Sequence, residues 1–143
     1  MCAVRRKGRK LIQSKETKAY GITFRSETEA YMYKLLRKHK IRAQYEKKSF
    51  VLMPSFVCKH RSFERNKRKN FKEITNVIQP ITYTPDFVGD NFIIEVKGRA
   101  NEQFPLRWKL FKYLINNKPV EYTLFVPRNK KECDEVIKII KEL

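Results

Sequence analysis

The sequence predicts an α/β fold in the order helix, three strands, helix, strand, helix, on three observations. Ser26 and Glu29 have the spacing of a capping box, ahead of an apolar stripe at Thr28, Met32, Leu35, Leu36 and His39 with the period of a helix. From Ile41 the period changes, and β-prone side chains gather at Tyr45 and from Phe50 to Met53. Beyond Pro105, helical and extended patterns alternate again.

Each element has its own signal. The first helix is expected from about Glu27 to Lys40. Arg42 to Met53 reads as extended, closed by Pro54, which lacks the N–H a strand interior needs. Residues 59 to 73 run from Lys59-His60-Arg61 through Asn66-Lys67-Arg68-Lys69-Asn70 and are almost wholly basic and polar, which suits an exposed loop or hairpin extension. Ile74 to Phe87 and Asn91 to Lys97 supply two more strands, with Gly89-Asp90-Asn91 as the tight turn between them. Pro105 opens a helix with Leu106, Leu110, Phe111, Leu114 and Ile115 on one side. Glu121 to Val126 is the last strand, and Asn129 caps a final helix whose apolar positions are Cys133, Val136, Ile137, Ile140 and Leu143. Residues 1 to 23 are basic and poorly periodic and are expected to form an N-terminal arm. Residues 24 to 143 are expected to form one domain, with a basic insertion at about 59 to 73.

Charge identifies a class of partner. With 33 Lys and Arg against 15 Asp and Glu, the formal net charge is +18, which favours a polyanion and makes binding salt-dependent through counterion release. Candidate nucleic-acid contacts are Arg5, Arg6, Lys7, Arg9 and Lys10 in the arm, then Arg25, Arg61, Lys67, Arg68, Lys69 and Arg99. Solvated charge alone accounts for the arm and for the 59 to 73 segment equally well. The three cysteines, Cys2, Cys58 and Cys133, form no CxxC pair, and Cys58 with His60 falls short of the four ligands of a structural zinc site. No apolar run approaches the roughly 20 residues of a membrane span, and no apolar core follows the basic N-terminus. A soluble, cytoplasmic protein without membrane contact is expected.

The chemistry lies in Tyr83-Thr84-Pro85-Asp86-Phe87, followed closely by Ile93-Ile94-Glu95-Val96-Lys97-Gly98. Strand side chains alternate faces, so Glu95 and Lys97 point one way while Ile94 and Val96 face the core. Asp86, Glu95 and Lys97 then converge. Two carboxylates suit a hard divalent ion such as Mg2+, and a lysine can orient a water or neutralise charge building on a phosphate. A half-exposed strand with a cross-strand charge pair, worth about 0.2 to 1 kcal/mol, would place Glu95 and Lys97 alike. The strongly apolar run Phe92 to Val96 argues instead for a central strand, where unpaired charge is costly.

With Pro85-Asp86 and Glu95-Val96-Lys97 on adjacent strands, the chain resembles the PD-(D/E)xK nuclease superfamily. Phe24-Arg25-Ser26 with Glu29, Tyr45-Glu46, Val51-Leu52-Met53-Pro54 and Tyr83 to Phe87 resemble the bacteriophage endonuclease I family of Holliday-junction resolvases, over roughly residues 20 to 98. The resemblance implies a restriction-endonuclease-like core, a central mixed β-sheet flanked by helices. It implies metal ligation by Asp86, Glu95, the Val96 carbonyl and Glu29, with Mg2+ as the cofactor, Mn2+ able to substitute, and Lys97 as the catalytic lysine. Glu29 has a competing role in the capping box with Ser26. The implied activity is metal-dependent hydrolysis of branched DNA to 5′-phosphate ends by a homodimer with two active sites, the Phe50 to Phe56 stretch either bridging protomers or forming an internal strand. The sequence departs from that family at Gln44, where a further acid precedes the Tyr-Glu pair. A nuclease of other specificity, a non-catalytic nucleic-acid-binding protein and a ribosome-associated basic protein are the rival readings.

Overall fold

Tyr20 and Gly21 both hold positive φ angles, 53° and 72°, the requirement of a two-residue type I′ hairpin turn. The computed structural model describes residues 14–98 and 103–143, and this turn joins β1 (Thr17–Ala19) to β2 (Ile22–Phe24). The described part of the expected arm is thus a small antiparallel hairpin. Strands of three residues are too short for their alternation to register in the sequence. The basic run from Arg5 to Lys10 and Arg99 lie outside the described residues.

Ser26 is extended, and its hydroxyl accepts the Glu29 amide, starting α1 (Glu27–Lys38). The helix stops two residues before the expected end. Lys40 adopts a φ of 55°, and its N–H and that of Ile41 donate back to Arg37 and Leu36, the Schellman arrangement that satisfies the last carbonyls.

The expected strand from Arg42 to Met53 divides into β3 (Gln44–Tyr45) and β4 (Phe50–Met53). The break is at Glu46, which holds a φ of 47° and donates its N–H to the Asp86 carbonyl. Six short strands follow: β5 (Phe56–Val57), β6 (Phe63–Arg65), β7 (Phe71–Glu73), β8 (Val77–Ile78), β9 (Ile81–Tyr83) and β10 (Phe87–Val88). Pairing is nested, β4 with β9, β5 with β8 and β6 with β7, all antiparallel. Residues 50 to 83 therefore make one long ribbon, with the basic segment as its outer hairpin. Phe50 to Phe56 pairs within the same chain, with Ile78 to Tyr83.

The remaining elements are β11 (Phe92–Ile94), α2 (Phe104–Asn116), β12 (Thr123–Phe125) and α3 (Lys130–Ile140). Pro105 lies in the first turn of α2, and Asn129 caps α3 by accepting the Glu132 amide. The central sheet has the order β12-β11-β10-β3, parallel between β11 and β12 and antiparallel elsewhere. Gly89 closes the β10–β11 turn, where a Cβ would collide with the Phe92 ring. The architecture is mixed α/β, as the sequence predicts, with far more and shorter strands than expected.

Alternation along β11 splits the core in two. Phe92, Ile94 and Val96 pack with Phe87 against Met32 and Leu36 of α1 and Val136 and Ile137 of α3. Ile93 and Val88 face the other way, onto Phe50, Tyr83 and Phe111 of α2. Helices on both sides explain why β11 is apolar throughout. Fully burying one such side chain is worth about 1.5 to 3 kcal/mol. No helix among the described residues is long and apolar enough to cross a membrane.

Candidate active site

Beyond Ile94 the chain remains laddered to the segment following β12. The Glu95 N–H donates to the Phe125 carbonyl and the Lys97 N–H to Pro127. The intervening Val96 N–H turns the other way and donates to Asp86 Oδ2 at 2.7 Å. This alternation carries Glu95 and Lys97 on the side of Ile93 and ties the two acidic segments through the Val96 backbone and the Asp86 side chain. Asp86 and Glu95 are only 5% and 4% exposed.

Glu95 is held at both oxygens. The Tyr83 hydroxyl donates to Oε2 at 2.6 Å, and Lys97 Nζ lies 2.7 Å from Oε1. Burial raises the Tyr83 hydroxyl pKa above its ordinary value, and the Glu95 charge raises it further, so this tyrosine stays a donor. Asp86 has a different balance. Burial, then repulsion from Glu95 and Glu29, pushes its carboxyl up to about 8, against the partial opposition of the Val96 amide and Lys97. An acid so shifted holds a proton near neutrality unless a cation arrives.

Glu29, also buried, faces its helix start. Oε1 accepts the Ser26 hydroxyl at 3.2 Å, and Oε2 accepts the Arg25 amide at 3.3 Å and the Tyr45 hydroxyl at 2.9 Å. The Ser26 cap is formed, the carboxylate returning to the Ser26 hydroxyl and the Arg25 amide rather than to the Ser26 amide, and it still contributes to the field at Asp86. Among the described residues no three His, Cys, Asp or Glu side chains converge as a metal-ligating group. The candidate ligands are Asp86 and Glu95, with Glu29 close enough to act on Asp86 through its charge. A carboxylate pair fits Mg2+, which is bound through one or two carboxylates and retains several waters. Burial first, and then the neighbouring carboxylates, hold the Asp86 pKa up at such a site.

A cleft of about 340 Å³ opens over this centre, lined by Arg25, Tyr83, Glu95, Lys97, Phe104 and Arg107 among others. Arg25 also pairs with Glu46 at 2.5 Å, and the Lys97 ammonium lies 5.0 Å from the Phe104 ring centroid. The cleft thus holds one buried carboxylate, Glu95, among the basic side chains Arg25, Lys97 and Arg107. Of the residues predicted from sequence, Glu95, Lys97 and Arg25 line this cleft, while Asp86 and Glu29 are buried outside its lining, with Asp86 under the charge of both Glu95 and Glu29. Arg61, Lys67, Arg68 and Lys69 lie in the outer ribbon instead, and Arg61 is engaged by both oxygens of Glu73 at 2.8 and 2.9 Å.

Sequence reasoning missed Tyr83, Tyr45 and Arg107 as parts of the site. Tyr83 was legible in principle, because it shares a short extended segment with Asp86. Arg107 was not, since only the packing of α2 brings it to the cleft.

Comparison with known proteins gives one match. A family model described as a protein of unknown function, DUF1064, covers residues 9–131. No curated protein and no solved structure matches the chain.

Proposed function

We propose that this chain, which belongs to the DUF1064 family, is a divalent-metal-dependent DNA endonuclease acting on four-way junctions. The observation that carries the reading is the buried Glu95, paired with Lys97 in a cleft also lined by Arg25 and Arg107, with the buried Asp86 carboxyl close enough to feel its charge. Binding alone has no use for buried acids facing a polyanion, since they repel the ligand and cost desolvation. We read the four-stranded sheet with helices on both sides as a restriction-endonuclease-like core.

In this reading Asp86 and Glu95 would hold Mg2+, or Mn2+ in its place. The ion when bound supplies a Lewis acid for the scissile phosphate and a water of lowered pKa. Asp86, whose pKa burial and neighbouring carboxylates raise, would be ionised as a ligand. Tyr83 fixes the Glu95 carboxylate so that it cannot rotate away. Lys97 neutralises charge that builds on the phosphate oxygens, while Arg25 and Arg107 grip flanking phosphates from the cleft walls. Resolution of a junction takes two symmetric cuts, so the active form is a twofold dimer.

The test is cleavage of labelled four-way junction, linear duplex and single-stranded DNA, in Mg2+ and in EDTA, by the native chain and by Asp86→Asn. Symmetric, Mg2+-dependent junction cuts that vanish in the variant while binding persists are the expected result. Cutting of linear or single-stranded DNA alone would replace the junction specificity. Tight binding without cutting of any substrate would overturn the nuclease reading.

A further inference from the structure

The outer ribbon carries features that the cleft does not use. In an antiparallel pair, residues directly opposite share a face, so the pairs Phe63–Glu73 and Arg65–Phe71 put both phenylalanines on one face with Arg65 and Glu73. Their ring centroids are 6.5 Å apart, and they are 48% and 74% exposed. The Arg61 guanidinium lies 5.2 Å from the Phe63 centroid while gripped by Glu73, which stiffens this face. At the tip, the Asn66 side-chain oxygen accepts the amides of Arg68 and Asn70, holding a turn from which Lys67, Arg68 and Lys69 project into solvent. From residue 59 to 73 the only acids are Glu64 and Glu73.

We propose that this face of the ribbon, Phe63 and Phe71 with the basic tip, binds unpaired or unstacked bases of nucleic acid, with the rings stacking on bases and the tip on phosphates. The inference builds on the nuclease reading by naming which part of a branched DNA the arm engages. Phosphate contact alone is served by lysine and arginine, whereas exposed phenylalanines add a surface for any base, because every base has a π-face. A paired duplex offers those rings nothing unless its stack opens. A second copy of this chain is the poorer occupant, since it would bring another +18 of charge and another basic tip against the first.

The experiment measures equilibrium binding in EDTA, so that no cleavage intervenes, of the full chain to single-stranded, bubble-containing and fully paired DNA of equal length. Phe63→Ala/Phe71→Ala is expected to lose at least about tenfold on the single strand and the bubble, from lost stacking, and less than about twofold on the duplex. Phe63→Tyr/Phe71→Tyr should restore it. Lys67→Ala/Arg68→Ala/Lys69→Ala should weaken binding on all three, with a salt slope shallower by roughly 2 to 3. Equal losses on every substrate, or none, would overturn the proposal. So would an aromatic variant that changes oligomeric state in sedimentation with no selective loss of binding, because the face would then serve a second copy. Failure of the nuclease reading looks different, as selective binding by a chain that cuts nothing.

Discussion

The acidic centre and the outer ribbon deploy charge in opposite ways. At the centre, Asp86, Glu95 and Glu29 are buried, and each has named partners at short range. On the ribbon, β5, β6 and β7 are exposed at every residue, and β5 to β8 contact chiefly one another. A buried charge acts in a low-dielectric setting where a lost partner is expensive; an exposed one is screened and replaceable. Single substitutions should therefore be decisive at the centre and almost silent on the ribbon, where effects accumulate only when several side chains change together.

The largest expected contrast is catalytic. Lys97→Ala should abolish cutting while DNA affinity stays within about twofold, because one charge in +18 contributes little to the polyanion field; nuclease and binding assays on the same preparation check it, and a matched loss of both would erase the distinction between the regions. Next comes pH. The folded-state pKa of Asp86 is raised above its ordinary 3.8 to about 8, so its protonated form favours the fold: that stability is full below about pH 4 and is lost as pH rises toward 8. Asp86→Asn should flatten this slope, melt several degrees higher than the native chain at pH 8 without metal, and lose any rise in melting temperature on adding Mg2+.

Smaller effects sharpen the boundary of the centre. Tyr83→Phe removes a buried donor and leaves one Glu95 oxygen without it, at a cost of about 1 to 3 kcal/mol, measurable by urea unfolding. Ser26→Ala removes the α1 cap and one Glu29 contact, with an expected cost of about 1 kcal/mol in the same assay. Arg61→Ala, which breaks the bidentate pair with Glu73 on the open ribbon, should leave the melting midpoint unchanged; a clear drop there would mean that the ribbon is not energetically separate.

Legibility in the sequence follows the same division. The elements built on long apolar periodicity were readable in place: α1 and α3 follow their caps, α2 starts beside Pro105, and the Gly89-Asp90-Asn91 turn joins β10 to β11, although Leu106 and Leu143 of the expected stripes are exposed and α2 buries Phe104 instead. The acid–lysine grouping was readable because strand alternation fixes the facing of Glu95 and Lys97 from local spacing. The β1–β2 hairpin was not, since its signal is one two-residue turn at Tyr20-Gly21. Nor was the nested ribbon, because pairing of Phe50 with Tyr83 spans 33 positions and no periodicity within either strand encodes the partner. Glu29 carried two readings, cap and metal ligand, and its oxygens accept from Ser26, the Arg25 amide and Tyr45; the Tyr45 contact comes from another strand, which local spacing does not encode.

Tyr83 belongs to both regions. Its backbone is the last rung of the ribbon, opposite Phe50, and its hydroxyl holds Glu95. One residue thus joins the ribbon to the acidic centre. Cutting the arm back to β5 and β8 leaves this junction, Tyr83 opposite Phe50, in place.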